Sequence, residues 1–108
     1  MHIIERSGRF NKWYARLTDK QAQARITLRI KRAAEGNFGV TRPVGEGVHE
    51  MKIDYGPGYR LYYARKGETT YLLLCGGDKS GQQGDIQTAI ALWSALQKQD
   101  PSRLLKEA

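Results

Sequence analysis

Cysteine is nearly absent from this chain. Cys75 is the only one in 108 residues, so no intrachain disulfide can form, and no Cys/His cluster offers a zinc site. Long apolar runs are missing too: nothing approaches the roughly 20 residues that a membrane span requires. The N-terminal MHIIERSGRF lacks the apolar segment of a signal peptide. These absences lead to the expectation of a soluble, cytoplasmic protein that needs no membrane, metal or cofactor. There is no internal repeat and no low-complexity segment. Acidic residues are scarce at one end: from Met1 to Gly36 there are only Glu5, Asp19 and Glu35, against nine Lys and Arg.

The formal net charge is +7, which favours an anionic partner: nucleic acid, an acidic protein or a lipid surface. The remaining two thirds of the chain is nearly balanced, so the bulk field comes from the N-terminal third. A chain of this length suits one domain with one modest core. We therefore expect a single domain over residues 1–108, with a tail from about residue 100.

His2 to Glu5 is β-branched and apolar and suggests a first strand. Ser7 is placed to cap a helix from about Gly8, in which Phe10, Trp13, Tyr14 and Leu17 recur at helical spacing. Thr18 or Asp19 ends that helix and caps the next. There, Ala22, Ile26, Ile30 and Ala33 form one face, with Arg25, Arg29 and Arg32 in a stripe beside it. Gly36-Asn37 supplies the left-handed stop, and the two helices make an αα-hairpin. Phe38 to Gly47, with its glycines and Pro43, reads as a connecting loop.

Val48 to Lys79 reads as a three-stranded meander. In the first run Met51 and Ile53 alternate with Glu50, Lys52 and Asp54. Tyr55-Gly56-Pro57-Gly58 turns the chain. In the second run Leu61 and Tyr63 alternate with Arg60 and Tyr62, which places Lys52, Arg60 and Tyr62 together on an open face. The third run, Tyr71 to Cys75, is apolar on both sides and suits a central strand. Ser80-Gly81-Gln82-Gln83 fits a capping box with Ser80 as the cap. Ile86, Ala89, Ile90, Trp93 and Leu96 carry a last helix to about Gln99, which Asp100-Pro101 breaks. The sum is an α+β domain of order β-α-α-β-β-β-α, with an antiparallel meander sheet packed against helices on one face.

This pattern resembles the RelE/ParE toxin superfamily, and within it the HigB-like addiction-module killer proteins. The resemblance is carried by Gly36-Asn37-Phe38-Gly39, Pro43-Val44-Gly45-Glu46-Gly47-Val48, Asp54-Tyr55-Gly56-Pro57-Gly58-Tyr59-Arg60 and Leu74-Cys75-Gly76-Gly77-Asp78-Lys79-Ser80, and continues through Gln83, Asp85 and Ile86. It implies the toxin of a type II toxin–antitoxin pair. RelE-type members cut messenger RNA in the ribosomal A site without metal, whereas ParE-type members poison DNA gyrase. The implied partner is an antitoxin that is acidic or carries a helix-turn-helix domain.

Metal-free RNA cleavage needs positive charge around the developing phosphorane and groups to take and give protons. Arg60 is the counterpart of the functional arginine in the family's Gly-Tyr-Arg, and its planar fork matches phosphate. Lys79 and Lys52 match further family cations, so the expected catalytic set is Arg60, Lys79 and Lys52. Glu50 stands where ribonuclease members carry a lysine, and their C-terminal aromatic or histidine has no clear match. Tyr62 and Asp85 are the candidates for an auxiliary role. The bland reading of Arg60 is a cross-strand ion pair with Asp54 or Glu50. Arg25, Arg29 and Arg32 read as a solvated helix face or as contacts to ribosomal RNA or an acidic antitoxin.

Overall fold

A computed structural model describes residues 1–99. The expected helix break at Asp100-Pro101 and the tail beyond it lie outside the described residues. The elements run β1 (Ile3–Arg6), α1 (Gly8–Arg16), α2 (Lys20–Ala34), β2 (Thr41–Gly45), β3 (Val48–Ile53), β4 (Tyr59–Arg65), β5 (Thr70–Asp78), one 3-10 turn (Lys79–Gly81) and α3 (Gln82–Lys98). The five strands form one mixed sheet in the order β1-β5-β4-β3-β2. β1 runs parallel to β5 and the other pairings are antiparallel.

Local chemistry explains the helices. The Ser7 hydroxyl accepts from Phe10 N–H at 3.0 Å and donates to Leu74 C=O at 2.7 Å, so one residue caps α1 and pins it to β5. Asp19 Oδ1 accepts from Gln21 and Ala22 N–H and starts α2. Ala22, Ile26, Ile30 and Ala33 are all buried, as their spacing requires. Gly36, at φ 98°, then takes the left-handed position that closes the helix.

The sheet has two covered faces, not one. On the first, Phe10 of α1 and the α2 stripe pack on Met51, Ile53, Leu61, Tyr63 and Leu73. On the second, Ile86, Ala89 and Trp93 of α3 pack on Val48, Tyr62, Ala64, Leu74 and Cys75. The expectation of an open second face overlooked that α3 has its own apolar stripe to bury. Each large side chain so buried contributes about 1.5–3 kcal/mol. A register shift between Tyr62 and Tyr63 leaves Leu74 as the extra residue of β5. The bulge puts both Leu74 and Cys75 on the α3 side, which accounts for the unbroken apolar run.

Phe38 to Gly47 is not merely a loop. Thr41–Gly45 forms an edge strand against β3, where Pro43 is tolerated because an edge strand need not donate every N–H. The start of α3 also differs from expectation. Asp78, not Ser80, caps this region by accepting from Ser80 N–H, and a 3-10 turn precedes α3. α3 itself has Gly81 at its N-cap with no side-chain cap bond.

Candidate functional site

Cross-strand register assembles the site. Lys52 lies opposite Arg60, and Glu50 opposite Tyr62. Arg42 lies opposite Glu50 on the other side. All five project toward the α3 side of the sheet. Gln82, the first residue of α3, reaches over them. Between these groups opens a cleft of about 310 Å³, lined by Val40, Thr41, Arg42, Glu50, Lys52, Arg60 and Gln82.

Glu50 is the hub. Only 4% exposed, it accepts from Arg42 Nε at 2.9 Å, Tyr62 OH at 3.0 Å and Gln82 Nε2 at 2.9 Å. Burial works to raise its pKa. The three hydrogen bonds and the Arg42 charge outweigh burial and hold it below the ordinary glutamate value. Glu50 therefore remains a carboxylate in a position where a lysine would otherwise repel Arg42 and Arg60.

Arg60 forms the floor. It is 6% exposed, and its Nη1 donates to Gly58 C=O at 2.8 Å within the turn that precedes β4. Its Nε stands 3.7 Å from Glu50 Oε2, an ion pair but not a hydrogen bond. That Nε has no hydrogen-bond partner among the described residues. Of the two bland pairings expected for Arg60, Glu50 is therefore the one present. The pair neutralises Arg60 without giving its buried Nε a hydrogen bond. Lys52 and Arg42 are exposed on the walls.

The other expected residues are distributed differently. Lys79 is exposed at the first position of the 3-10 turn, beside Gly58 and outside the cleft lining. Tyr62 is fully buried, not surface-exposed, because α3 covers it. Burial first, and then the hydrogen bond to Glu50, push its phenol above the ordinary tyrosine range. Such a group is a poor proton donor at neutral pH. Asp85 lies one turn into α3 against Gly77 and lines a separate cavity. Burial, then the Asp78 charge, raise its carboxyl.

The arginine stripe of α2 lies across the sheet from the cleft and is not uniform. Arg29 donates to Lys52 C=O at 2.7 Å and Phe38 C=O at 3.0 Å, so it clamps α2 to the sheet and is no free surface cation. Arg25 stands 4.5 Å over the Tyr55 ring. Arg32 is exposed and in no ion pair among the described residues. Sequence reasoning missed Arg42 and Gln82 as site residues. Reading 41–45 as a strand would have set Arg42 across from Glu50.

No protein-family model matches the chain. An uncharacterized protein of Haemophilus influenzae is 45% identical over 87 residues, covering 81% of this chain and 88% of that protein. Among solved structures, the intact Escherichia coli RelBE toxin–antitoxin complex matches with a TM-score of 0.61 at 16% identity, covering 72% of this chain and 96% of the matched one. The chain thus belongs to the family of the Haemophilus influenzae protein, and its five-stranded sheet and flanking helices have the RelE fold.

Proposed function

We propose that the chain is a HigB-like toxin of a type II toxin–antitoxin pair that acts in the cytoplasm as a ribosome-dependent, metal-free messenger-RNA endoribonuclease. The single observation that carries this reading is Arg60: a nearly buried guanidinium, held by Gly58 and the Glu50 charge, that lines an open cleft together with Arg42 and Lys52. A scissile phosphate entering the cleft meets a fork of donors whose orientation is already fixed by Gly58 and Glu50. Such preorganised charge is what an in-line attack of a ribose 2′-OH requires. Lys52, opposite Arg60, is the candidate to move a proton at the 2′ oxygen, and Lys79 contacts the strand at the rim. Glu50 and Gln82 are positioning residues. The RelE fold and the net charge of +7 support pairing with an acidic or helix-turn-helix antitoxin.

One observation favours the second reading, a non-enzymatic gyrase poison of the ParE type. The Tyr62 phenol is buried and turned to Glu50, and the Tyr63 phenol bonds Thr41, which among the described residues leaves Lys52, Lys79 and the already hydrogen-bonded Glu50 carboxylate for proton transfer at the cleft and its rim. Mapping the 5′ ends of messenger RNA on translating ribosomes after adding purified protein separates the two. Ribosome-dependent cuts that vanish in Arg60→Ala and return in part in Arg60→Lys are expected. Inhibited DNA supercoiling without cuts, or cuts unchanged in a folded Arg60→Ala protein, overturns the nuclease reading.

A further inference from the structure

A second cavity, of about 540 Å³, lies apart from the cation cleft. Its volume is within the range of small-ligand sites. β1 pairs with β5 only as far as Leu73, and Ser7 extends the contact to Leu74. Beyond that point, among the described residues, β5 has a strand partner on its β4 side alone. α1 and α3, from opposite faces of the sheet, overhang this bare edge. Gly76 and Gly77 let them close in: a Cβ on Gly76 would overlap the Trp13 ring, and one on Gly77 would overlap the Asp85 carboxylate.

The walls carry opposite charge without pairing. Arg9, Lys12 and Arg16 line the cavity from α1, at the i, i+3 and i+7 spacing of one helix face. Asp85 and Thr88 line it from α3. Among the described residues, none of the three cations is in an ion pair, and the Asp85 carboxylate accepts no hydrogen bond. Cations and a half-buried carboxylate that face one cavity without closing on each other fit a ligand that carries both an anion and hydrogen-bond donors. The Trp13 indole supplies an apolar wall between them.

We infer that this α1–α3 cavity binds a guanine nucleotide, with its phosphate on Arg9, Lys12 and Arg16 and its base edge on Asp85. A carboxylate only accepts hydrogen bonds. Guanine is the one common base whose Watson–Crick edge presents two adjacent donors, N1–H and N2–H, to both carboxylate oxygens. Adenine, cytosine and uracil present one there. The nucleotide is either free or one residue of an RNA strand. The inference goes beyond the cleavage reading and stands without it, because no cleft residue takes part.

Intrinsic tryptophan emission of the full chain, titrated with GMP, AMP, CMP, UMP and inorganic phosphate, tests it. Saturable GMP binding, about 10-fold or more tighter than the other nucleotides, is expected. Asp85→Asn, with its fold checked by circular dichroism, levels the four nucleotides. Arg9→Glu combined with Lys12→Glu removes binding altogether, whereas Arg60→Ala leaves it intact. A guanine-bearing pentanucleotide that binds tighter than GMP assigns the site to an RNA strand, and equal binding assigns it to the free nucleotide. No saturable binding of any nucleotide, phosphate binding as tight as GMP, or capture of an oligoglutamate peptide in preference to nucleotides overturns the inference.

Discussion

Replacing Glu50 by glutamine keeps the shape of the hub and removes its charge. Oε2 accepts from both Tyr62 OH and Gln82 Nε2, and Oε1 from Arg42 Nε. An amide has one oxygen and one NH2, so at least one of these donors must then face another donor. A hydrogen bond involving a charged group contributes about 1.5–3 kcal/mol. Removing one partner of a fully buried ion pair costs about 3–5 kcal/mol. The upper figure is too large here, because Arg60 Nε is 3.7 Å away and the Arg42 side chain is 59% exposed. A loss of about 2–3 kcal/mol follows, or roughly 10–20 °C in Tm for a domain of this size.

The pH dependence has a definite sign. Glu50 is depressed in the folded state, so it adds stability above the unfolded value of about 4.3 and loses it as pH falls through the folded value. Urea denaturation of both proteins at pH 7 and at about pH 3 is the assay. The wild-type advantage should be complete at pH 7 and shrink on acidification. A difference below about 0.5 kcal/mol at pH 7, the size expected of an ordinary surface substitution, would refute the hub. So would one that grows as the pH falls.

Other substitutions probe other layers. Gly76→Ala drives a Cβ into the rigid Trp13 ring and should cost about 1–3 kcal/mol in urea denaturation, while Gly84→Ala, with open space around it, should cost nothing. Ile26→Ala in the fully buried α2 face should lose about 2–5 kcal/mol by the same measurement. Burial pushes the Cys75 thiol up to about 12, so the native protein should resist iodoacetamide at pH 8 and react at once in denaturant. Arg29→Ala frees two carbonyls and should lower Tm by several degrees, whereas Arg32→Ala, exposed on the same helix, should leave it unchanged.

Much of the fold was legible in local sequence, because its signals are local. The α2 stripe, the Asp19 cap, the Gly36 stop and the meander runs each depend on residues within a few positions of one another. Residues 41–45 were not legible as a strand. Pro43 and the glycines around it read as a loop, and only pairing to β3 makes them an edge strand. The alternation correctly joined Lys52, Arg60 and Tyr62 on one face, because register and pleat follow from the turn between β3 and β4. It could not say what lies above that face.

The sequence alone determined the helices, the first strand and the meander runs, the cationic balance, and the place of Arg60 after its turn. Only the tertiary structure decided which of these groups remain available. α3 crosses the second face, buries Tyr62, and delivers Gln82 to Glu50 across 32 residues of chain. The bulge at Leu74 then turns Gly76 toward Trp13, while Gly77 faces Asp85, which lines a cavity of its own. Availability is a property of what packs where. It depends on long-range contacts that no local spacing encodes.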